Sequence, residues 1–366
     1  MTTSDQPLRW GIIGTGGIAG QFAADLAGVP GARLTAVGSR TQESAAAFAA
    51  RCAAAHPGVR PHGSWADLVA DPAVDAVYVA TPHPWHAPAA LLAVEAGRHV
   101  LVEKPFTMDA GEARQVVAAA RAAGVFCMEA MWMRCSPVVQ RVIELVDQGG
   151  IGEPRLLSAQ LGFPNDVDPA GRLFARHGGG VLLDLGVYPV SLAHALFGTP
   201  TRVTASAVLL DSGVDEQVTA LLDYPGGRQA VIAAGLRSQL SNSASVHGTA
   251  GIVRIDEPIV FPHHYSRTLI PVRRPGAGGS GGRGSGGAKA RLRNHPVGRL
   301  LAEQRARLRT RGTTLRARGN GYSAEAAEVQ RCLAAGLPES PIITLDETIA
   351  VLGTMDAIRS AWAGEA

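Results

Sequence analysis

Glu103 and Lys104 end the apolar run His99-Val-Leu-Val, so that an acid and an amine stand at the mouth of what reads as a buried strand. Upstream lies Gly14-Thr-Gly16-Gly17-Ile18-Ala19, a G-x-G-x-x-A. It follows the apolar strand Trp10-Gly-Ile-Ile and precedes Phe22, Leu26 and Val29, which with Ile18 keep a helical period. Each small residue has a mechanical reason in that setting. Gly14 permits the tight turn, Gly16 lets the backbone approach a pyrophosphate, and Ala19 lets helix and strand pack closely. Gly14, Gly16, Gly17 and Ile18 are therefore candidate dinucleotide-binding residues. Glu103 and Lys104 then lie where a nicotinamide enzyme keeps its chemistry.

The elements that must hold these residues follow from the pattern around them. Residues 1 to about 130 alternate strand and helix, with Leu34 to Ser39, Ala76 to Ala80, His99 to Val102 and Val125 to Met128 as buried strands. Alternation of this kind predicts an α/β fold with a doubly wound parallel sheet. Asp109-x-x-Glu112 marks a helix start and Gly124 its end. The second strand ends in Ser39-Arg40, where an enzyme using NAD carries an acid for the ribose hydroxyls. A hydroxyl and a guanidinium suit a 2′-phosphate, which favours NADP, with NAD as the alternative and a solvated surface arginine as the plain reading. The fourth strand runs into Thr81-Pro82-His83-Pro84-Trp85-His86. Ligands in open α/β sheets sit beyond the carboxyl ends of strands, so His83 and His86 either contact the cofactor beside Thr81 and Pro82 or cap the next helix.

Composition narrows the class. A chain of 366 residues is too long for one ordinary core and predicts two domains, and 46% hydrophobic with 18% charged residues describes a globular protein. No apolar run reaches the roughly 20 residues that span a bilayer, and the polar start Met1-Thr-Thr-Ser-Asp is unlike a signal peptide. A cytoplasmic location without membrane attachment is the expectation. Cys52, Cys127, Cys135 and Cys332 form no C-x-x-C pair, so they read as reduced packing residues, with neither a disulfide framework nor a metal site.

Beyond Ser136-Pro137, a helix start, the pattern changes. Val203 to Leu209, Val218 to Asp223, Gln229 to Leu236 and Ile252 to Ile255 read as strands joined by turns such as Tyr224-Pro-Gly-Gly. They predict a mostly antiparallel sheet with helices on one face and the other free for a partner subunit. Before it, Gly178-Gly-Gly-Val-Leu-Leu-Asp184-Leu-Gly-Val-Tyr188 puts Asp184 and Tyr188 on one face if that segment is helical.

Together, the glycine loop, Glu103-Lys104-Pro105, Glu129-Ala-Met-Trp132-Met-Arg134 and Gly179-Gly-Val-Leu-Leu-Asp184-Leu-Gly-Val-Tyr188 resemble the glucose-fructose oxidoreductase and inositol dehydrogenase superfamily. His83-Pro84-x-His86, the run from Gln239 to Thr249 and Leu337-Pro-Glu-Ser-Pro341 add to the likeness. Tyr188, where many members carry histidine, points to the dihydrodiol dehydrogenase and NADP-linked xylose dehydrogenase branch. The resemblance implies a Rossmann domain over residues 1–130 and an α+β substrate and oligomerisation domain over 131–366. It also implies a homo-oligomer and a polyol, aldose or dihydrodiol substrate. The reaction implied is hydride transfer between nicotinamide and a secondary alcohol, with Lys104 and Tyr188 as the catalytic pair. A tyrosine of ordinary pKa, about 10, is a poor base, but a nearby ammonium favours its phenolate, and Lys104 is the candidate ammonium. Glu103 either places the nicotinamide or pairs with a local cation. Asp184 either binds substrate hydroxyls or packs on a helix face. Trp132 offers the nicotinamide and substrate a flat wall or is a core aromatic, and Arg134 joins the cofactor set. Arg172 or Arg176 could reach a ligand, with Arg172 taken as the substrate residue. Two alternatives remain: a cofactor-dependent glycosidase, against which Tyr188 argues, and an NADP-sensing regulator without turnover, against which Lys104 and Tyr188 together argue.

Residues 273–319 depart from the family pattern. They hold thirteen lysines or arginines and one acid, Glu303, so this segment carries +12 of a chain whose total is +3 and leaves −9 for the rest. The basic pI of 8.8 thus belongs to one segment, and nucleic acid is not an expected partner. Pro275 to Gly287 reads as a flexible inserted loop and Val297 to Arg311 as a short basic helix. An electrostatic attachment to an anionic surface, or to the acidic body, is the functional alternative.

Overall fold

A computed structural model of the chain describes residues 6–168, 171–270, 309–316 and 319–363. The first sheet has six parallel strands: β1 (Leu8–Ile13), β2 (Ala32–Gly38), β3 (Arg60–His62), β4 (Ala76–Val79), β5 (His99–Glu103) and β6 (Cys127–Ala130). Their order is β3-β2-β1-β4-β5-β6. The order reverses between β1 and β4, and the carboxyl ends of these two strands open the crevice in which such sheets bind ligands. Strands β4 and β6 are buried throughout and β5 nearly so, which is why they read as apolar runs. The sequence gives no sign of β3, whose Arg60-Pro-His offers neither alternation nor an apolar run.

Helix α1 (Gly17–Leu26) leaves the glycine loop and buries Ala19, Phe22 and Leu26. Helices α2 (Gln42–Cys52), α3 (Trp65–Ala70), α4 (His86–Glu95) and α5 (Ala110–Ala123) follow the next strands. Asp109 caps α5 by accepting from the Glu112 amide at 2.9 Å, and Gly124 ends it at φ 65°, as the capping pattern requires.

The second sheet has eight strands: β7 (Pro154–Gly162), β8 (Arg202–Leu209), β9 (Asp215–Tyr224), β10 (Arg228–Gly235), β11 (Ala244–Gly248), β12 (Gly251–Ile255), β13 (His264–Leu269) and β14 (Thr310–Thr314). Its order is β14-β13-β12-β11-β7-β10-β9-β8. The pairing is antiparallel except between β7 and β10, so the sheet is mostly antiparallel as expected. Helix α6 (Pro137–Asp147) starts with the proline after Ser136, and α7 (Val187–Phe197) follows a π-helical stretch at Leu182–Gly186.

Two helices close the chain. Helix α8 (Tyr322–Ala334) packs on α1, and its Ala326, Val329 and Cys332 share a core with Trp10, Phe22 and Tyr78 of the first sheet. Helix α9 (Leu345–Ala363) lies against β8, α5 and α7. The chain after residue 320 therefore ties the two sheets together. The expected basic helix at Val297 to Arg311 falls mostly outside the described residues. Its last two residues are corrected: Thr310 and Arg311 belong to edge strand β14, where they pair with Thr268 and Arg267 of β13. Among the described residues no helix is long and apolar enough to cross a membrane.

Candidate active site

The carboxyl ends of β1, β2, β4 and β5 meet the loop before α7 around a cavity of about 630 Å³. Its dinucleotide end is backbone. Gly14 has φ +115°, and a β-carbon there would collide with the Ala80 carbonyl oxygen, so only glycine closes this turn. Around Gly16 and Gly17 an added β-carbon would meet nothing within 4 Å. The backbone there is bare toward the cavity, at the start of a helix with no acid in its first turn. Thr81 lines the same space with a buried hydroxyl that has no hydrogen-bond partner among the described residues. An open glycine cradle, a helix amino terminus and an unsatisfied hydroxyl suit a dinucleotide pyrophosphate and its riboses. Ile18, Ser39, Arg40 and Pro82 complete the lining expected from the sequence, with Arg40 exposed at the rim.

The other end is crowded with charge. The Lys104 ammonium donates to the Asp184 backbone oxygen at 2.8 Å and reaches its carboxylate at 3.3 Å. One Arg172 nitrogen donates to the same Asp184 oxygen at 3.1 Å and to His83 Nε2, also at 3.1 Å. Burial alone would raise the Asp184 carboxyl, but Lys104, Arg172 and His83 outweigh it and hold the group below the usual carboxylate range. Asp184 is thus the anionic centre of a buried cluster, more than polar packing on a helix face. Arg172 reaches the cavity, while Arg176 is not among its lining residues.

His83 donates from Nδ1 to the Gly178 carbonyl at 2.8 Å, which leaves Nε2 to accept from Arg172. Burial lowers its pKa to about 3, in keeping with a neutral ring. The two nitrogens of His86 lie 2.7 Å from the Pro105 oxygen and 2.9 Å from the Thr81 oxygen, and burial lowers its pKa to about 4. His86 thereby ties the end of β4 to the turn after β5. Neither histidine caps a helix through its side chain.

Tyr188 stands in the first turn of α7, with the Lys104 ammonium 4.9 Å from the centre of its ring. Its hydroxyl oxygen accepts from the Trp132 indole at 2.7 Å. The expectation of a lowered phenol pKa is corrected. Burial, helped by the nearby acids Glu103, Asp184 and Glu325, raises the phenol well above its ordinary value and keeps it protonated. The ammonium faces the ring and is bonded to Asp184, so it does not serve the phenol oxygen directly.

Two further expectations are revised and a third gains detail. Glu103 does not take the local cation as its hydrogen-bond partner: it accepts from the Tyr78 hydroxyl and, at 3.1 Å, from the Lys104 amide, and burial raises its carboxyl pKa. Trp132 is part-exposed and lines the cavity, with Tyr322 stacked on it at 5.1 Å and Phe261 at 5.5 Å between ring centres. Arg134 lies outside the cavity. It is buried and bonded to Glu347 at 2.5 Å and to the Ile342 carbonyl at 2.8 Å, so it fastens the segment after β6 to the start of α9. Sequence reasoning missed Thr15, Trp65, Ala80, Trp85 and Tyr322 among the lining residues. Thr15 and Ala80 adjoin recognised motifs, but nothing local marks Tyr322.

A dinucleotide cradle at the switch point of a parallel sheet, joined to a buried acid–base cluster from a second α+β layer, defines a nicotinamide-dependent oxidoreductase. Residues 8–131 match the oxidoreductase family with an NAD-binding Rossmann fold, and residues 139–254 match the GFO/IDH/MocA C-terminal domain. Trans-1,2-dihydrobenzene-1,2-diol dehydrogenase of Oryctolagus cuniculus is 34% identical over 354 residues, covering 96% of this chain and 97% of that protein. The Homo sapiens protein of the same name is 32% identical over 363 residues, covering 97% and 96%. Among solved structures, KijD10, a 3-ketoreductase from Actinomadura kijaniata in complex with NADP and TDP-benzene, superposes with a TM-score of 0.77. It is 26% identical and covers 97% of this chain and 98% of its own. The aldose-aldose oxidoreductase of Caulobacter crescentus, 23% identical with a TM-score of 0.79 over 99% of both chains, shares the fold. The chain belongs to the GFO/IDH/MocA oxidoreductase family.

Proposed function

We propose that this chain is an NADP-dependent dehydrogenase or reductase of secondary alcohols on small ring compounds, a cyclic diol or an aldose. The observation that carries the reading is the meeting of Lys104, Asp184 and Tyr188 at the end of the glycine-lined cavity. Bound nicotinamide supplies the hydride acceptor or donor. Gly14, Gly16, Gly17, Ile18, Thr81, Pro82, His83, His86 and Glu103 would hold the dinucleotide, and Ser39 with Arg40 would receive a 2′-phosphate. Tyr188 gives a proton to the carbonyl oxygen in reduction and takes it from the hydroxyl in oxidation. Because burial favours the protonated phenol, reduction starts with its acid in place, whereas oxidation must wait for the phenolate and quickens as pH rises. Lys104 and Asp184 act as a pair, with the ammonium over the Tyr188 ring and the carboxylate available to a substrate hydroxyl. Arg172 adds a donor at the mouth. The relatives, a diol dehydrogenase and a 3-ketoreductase solved with NADP, support the substrate class and the cofactor.

Residues 1–130 serve as the cofactor domain and 131–366 as the substrate domain in this reading. The second sheet also offers a surface for self-association. Val208 on β8 and Val231 on β10 are exposed, in line with a homodimer built through this sheet. Four free cysteines accord with a cytoplasmic location. Following nicotinamide absorbance with arene dihydrodiols, aldoses and polyols against NADP and NAD tests the function. Turnover of a diol or aldose with NADP is expected, and no turnover across the panel despite NADPH binding would reject it.

A further inference from the structure

We propose that Trp132 is a positioning residue for Tyr188: its indole N–H holds the phenol oxygen so that the phenol's own proton is left to face the reacting oxygen. The inference rests on the acid–base role proposed above for Tyr188. Indole has one polar hydrogen and no acceptor, so at 2.7 Å it can only donate to the Tyr188 oxygen. It cannot take the phenol proton. That proton must leave toward another group, and Tyr188 lines the cavity.

The donor is held in place by packing. Tyr322 from α8 stacks on one face of the indole with an interplanar angle of 8°, and Phe261 stacks at 19°. Gly321, at φ +109°, brings the chain so close that a β-carbon would collide with the indole ring. The tryptophan is therefore held by two aromatic rings and a glycine turn, with its nitrogen edge engaged at the reacting residue. Such packing fits a donor that must keep one orientation through the reaction.

The chemistry gives the bond a direction. In oxidation the substrate C–H pair leaves as hydride to the nicotinamide, and the hydroxyl proton passes to the Tyr188 oxygen; reduction runs the same transfers backwards. A donor bonds more strongly to phenolate than to phenol, so Trp132 makes the deprotonated state more accessible. The groups around Tyr188 are Lys104 over its ring, Glu103 from the end of β5, Asp184 from its own segment, and Glu325 and Tyr322 from α8. The three acids and burial all push the phenol up, and the indole bond opposes them.

The test compares pH profiles of kcat for alcohol oxidation in the NADP-loaded wild type, Trp132→Phe and Tyr188→Phe. Phenylalanine retains an aromatic ring beside Tyr322 and Phe261 and lacks the donor. Its rising limb should move to higher pH by about one unit or more. Loss of the limb in Tyr188→Phe with an unmoved limb in Trp132→Phe would overturn the positioning role alone. Retention of the limb in Tyr188→Phe would overturn the acid–base role and the positioning role with it. A second measurement avoids altering Trp132. In the indole ¹⁵N–¹H spectrum, Tyr188→Phe should move one tryptophan signal upfield, and a spectrum with every indole signal unmoved would overturn the hydrogen bond itself.

Discussion

At one end of the cavity, Gly14, Gly16 and Gly17 present main chain, with Ile18 38% exposed and Arg40 at the rim. At the other, Lys104 and Asp184 side chains are only 14% and 12% exposed, and Tyr188 and Trp132 are bonded to each other. The first end works by absence: small residues leave amides and space for a phosphate, and solvent screens what charge there is. The second works by presence, because charges withdrawn from water interact strongly enough to change protonation states. Damage should therefore differ in kind. At the glycine end it should appear as lost affinity or cofactor choice, and at the charged end as lost turnover or stability.

The largest effect is expected from Tyr188→Phe. Removing one hydroxyl should lower turnover by about 10² to 10⁴ while leaving NADPH affinity near wild type, as measured by fluorescence titration. Lys104→Met should also cripple turnover. If both serve one proton-transfer unit, the double variant should be far less than additively worse. Additive losses would separate the two residues.

Asp184→Asn should come next, as a loss of stability. Asparagine leaves Lys104 and Arg172 close together without their shared anion, and breaking such a buried pair costs about 3–5 kcal/mol. The pH dependence has a definite sign. Asp184 has a lowered folded-state pKa, so its contribution is complete above the unfolded value of about 3.9 and fades as pH falls below it. The gap between wild type and variant in urea unfolding should therefore be wide at neutral pH and close in acid. A gap independent of pH would mean that the carboxylate charge is not what matters.

Arg40→Asp probes the open end, and its effect should be smaller. It should weaken NADP by about 10- to 100-fold while leaving NAD nearly unaffected or improved, because it removes a phosphate partner and adds a repelling charge. Equal loss of both cofactors in binding titrations would move the 2′-phosphate elsewhere.

The glycine end was legible in the sequence because its parts are contiguous: a strand, a turn and a helix within about twenty residues give periodicity and punctuation together. The charged end was legible only as separate motifs. Lys104 and Asp184 are 80 residues apart, and Trp132 and Tyr188 are 56 apart, so their bonds exist only once β5, α7 and the segment after β6 are folded together. Tyr322 and Phe261 stack on Trp132, and no local pattern announces a stacking partner from a distant helix. Strand β14 was hidden for another reason. Its Thr-Arg-Gly-Thr-Thr pairs through backbone at a sheet edge with side chains mostly exposed, so it has no apolar face to show.

That edge strand decides how the smallest effect should be sought. Thr268 pairs with Thr310, so the two ends of the segment between β13 and β14 are neighbours, and a short linker can rejoin them. Removing residues 276–306 takes out six of the thirteen basic residues of the insertion and leaves β14 intact. Turnover and unfolding midpoint should then stay within about twofold and a few degrees of wild type, because the strands at its two ends already pair with each other. Extending the cut through Thr314 would also remove β14 and bare β13 as the new edge, and that variant should self-associate in light scattering. Activity that collapses at low ionic strength in the shorter deletion would show instead that the net +5 it removes reaches the cavity or the acidic body, since interactions between exposed charges are felt most where salt screens least.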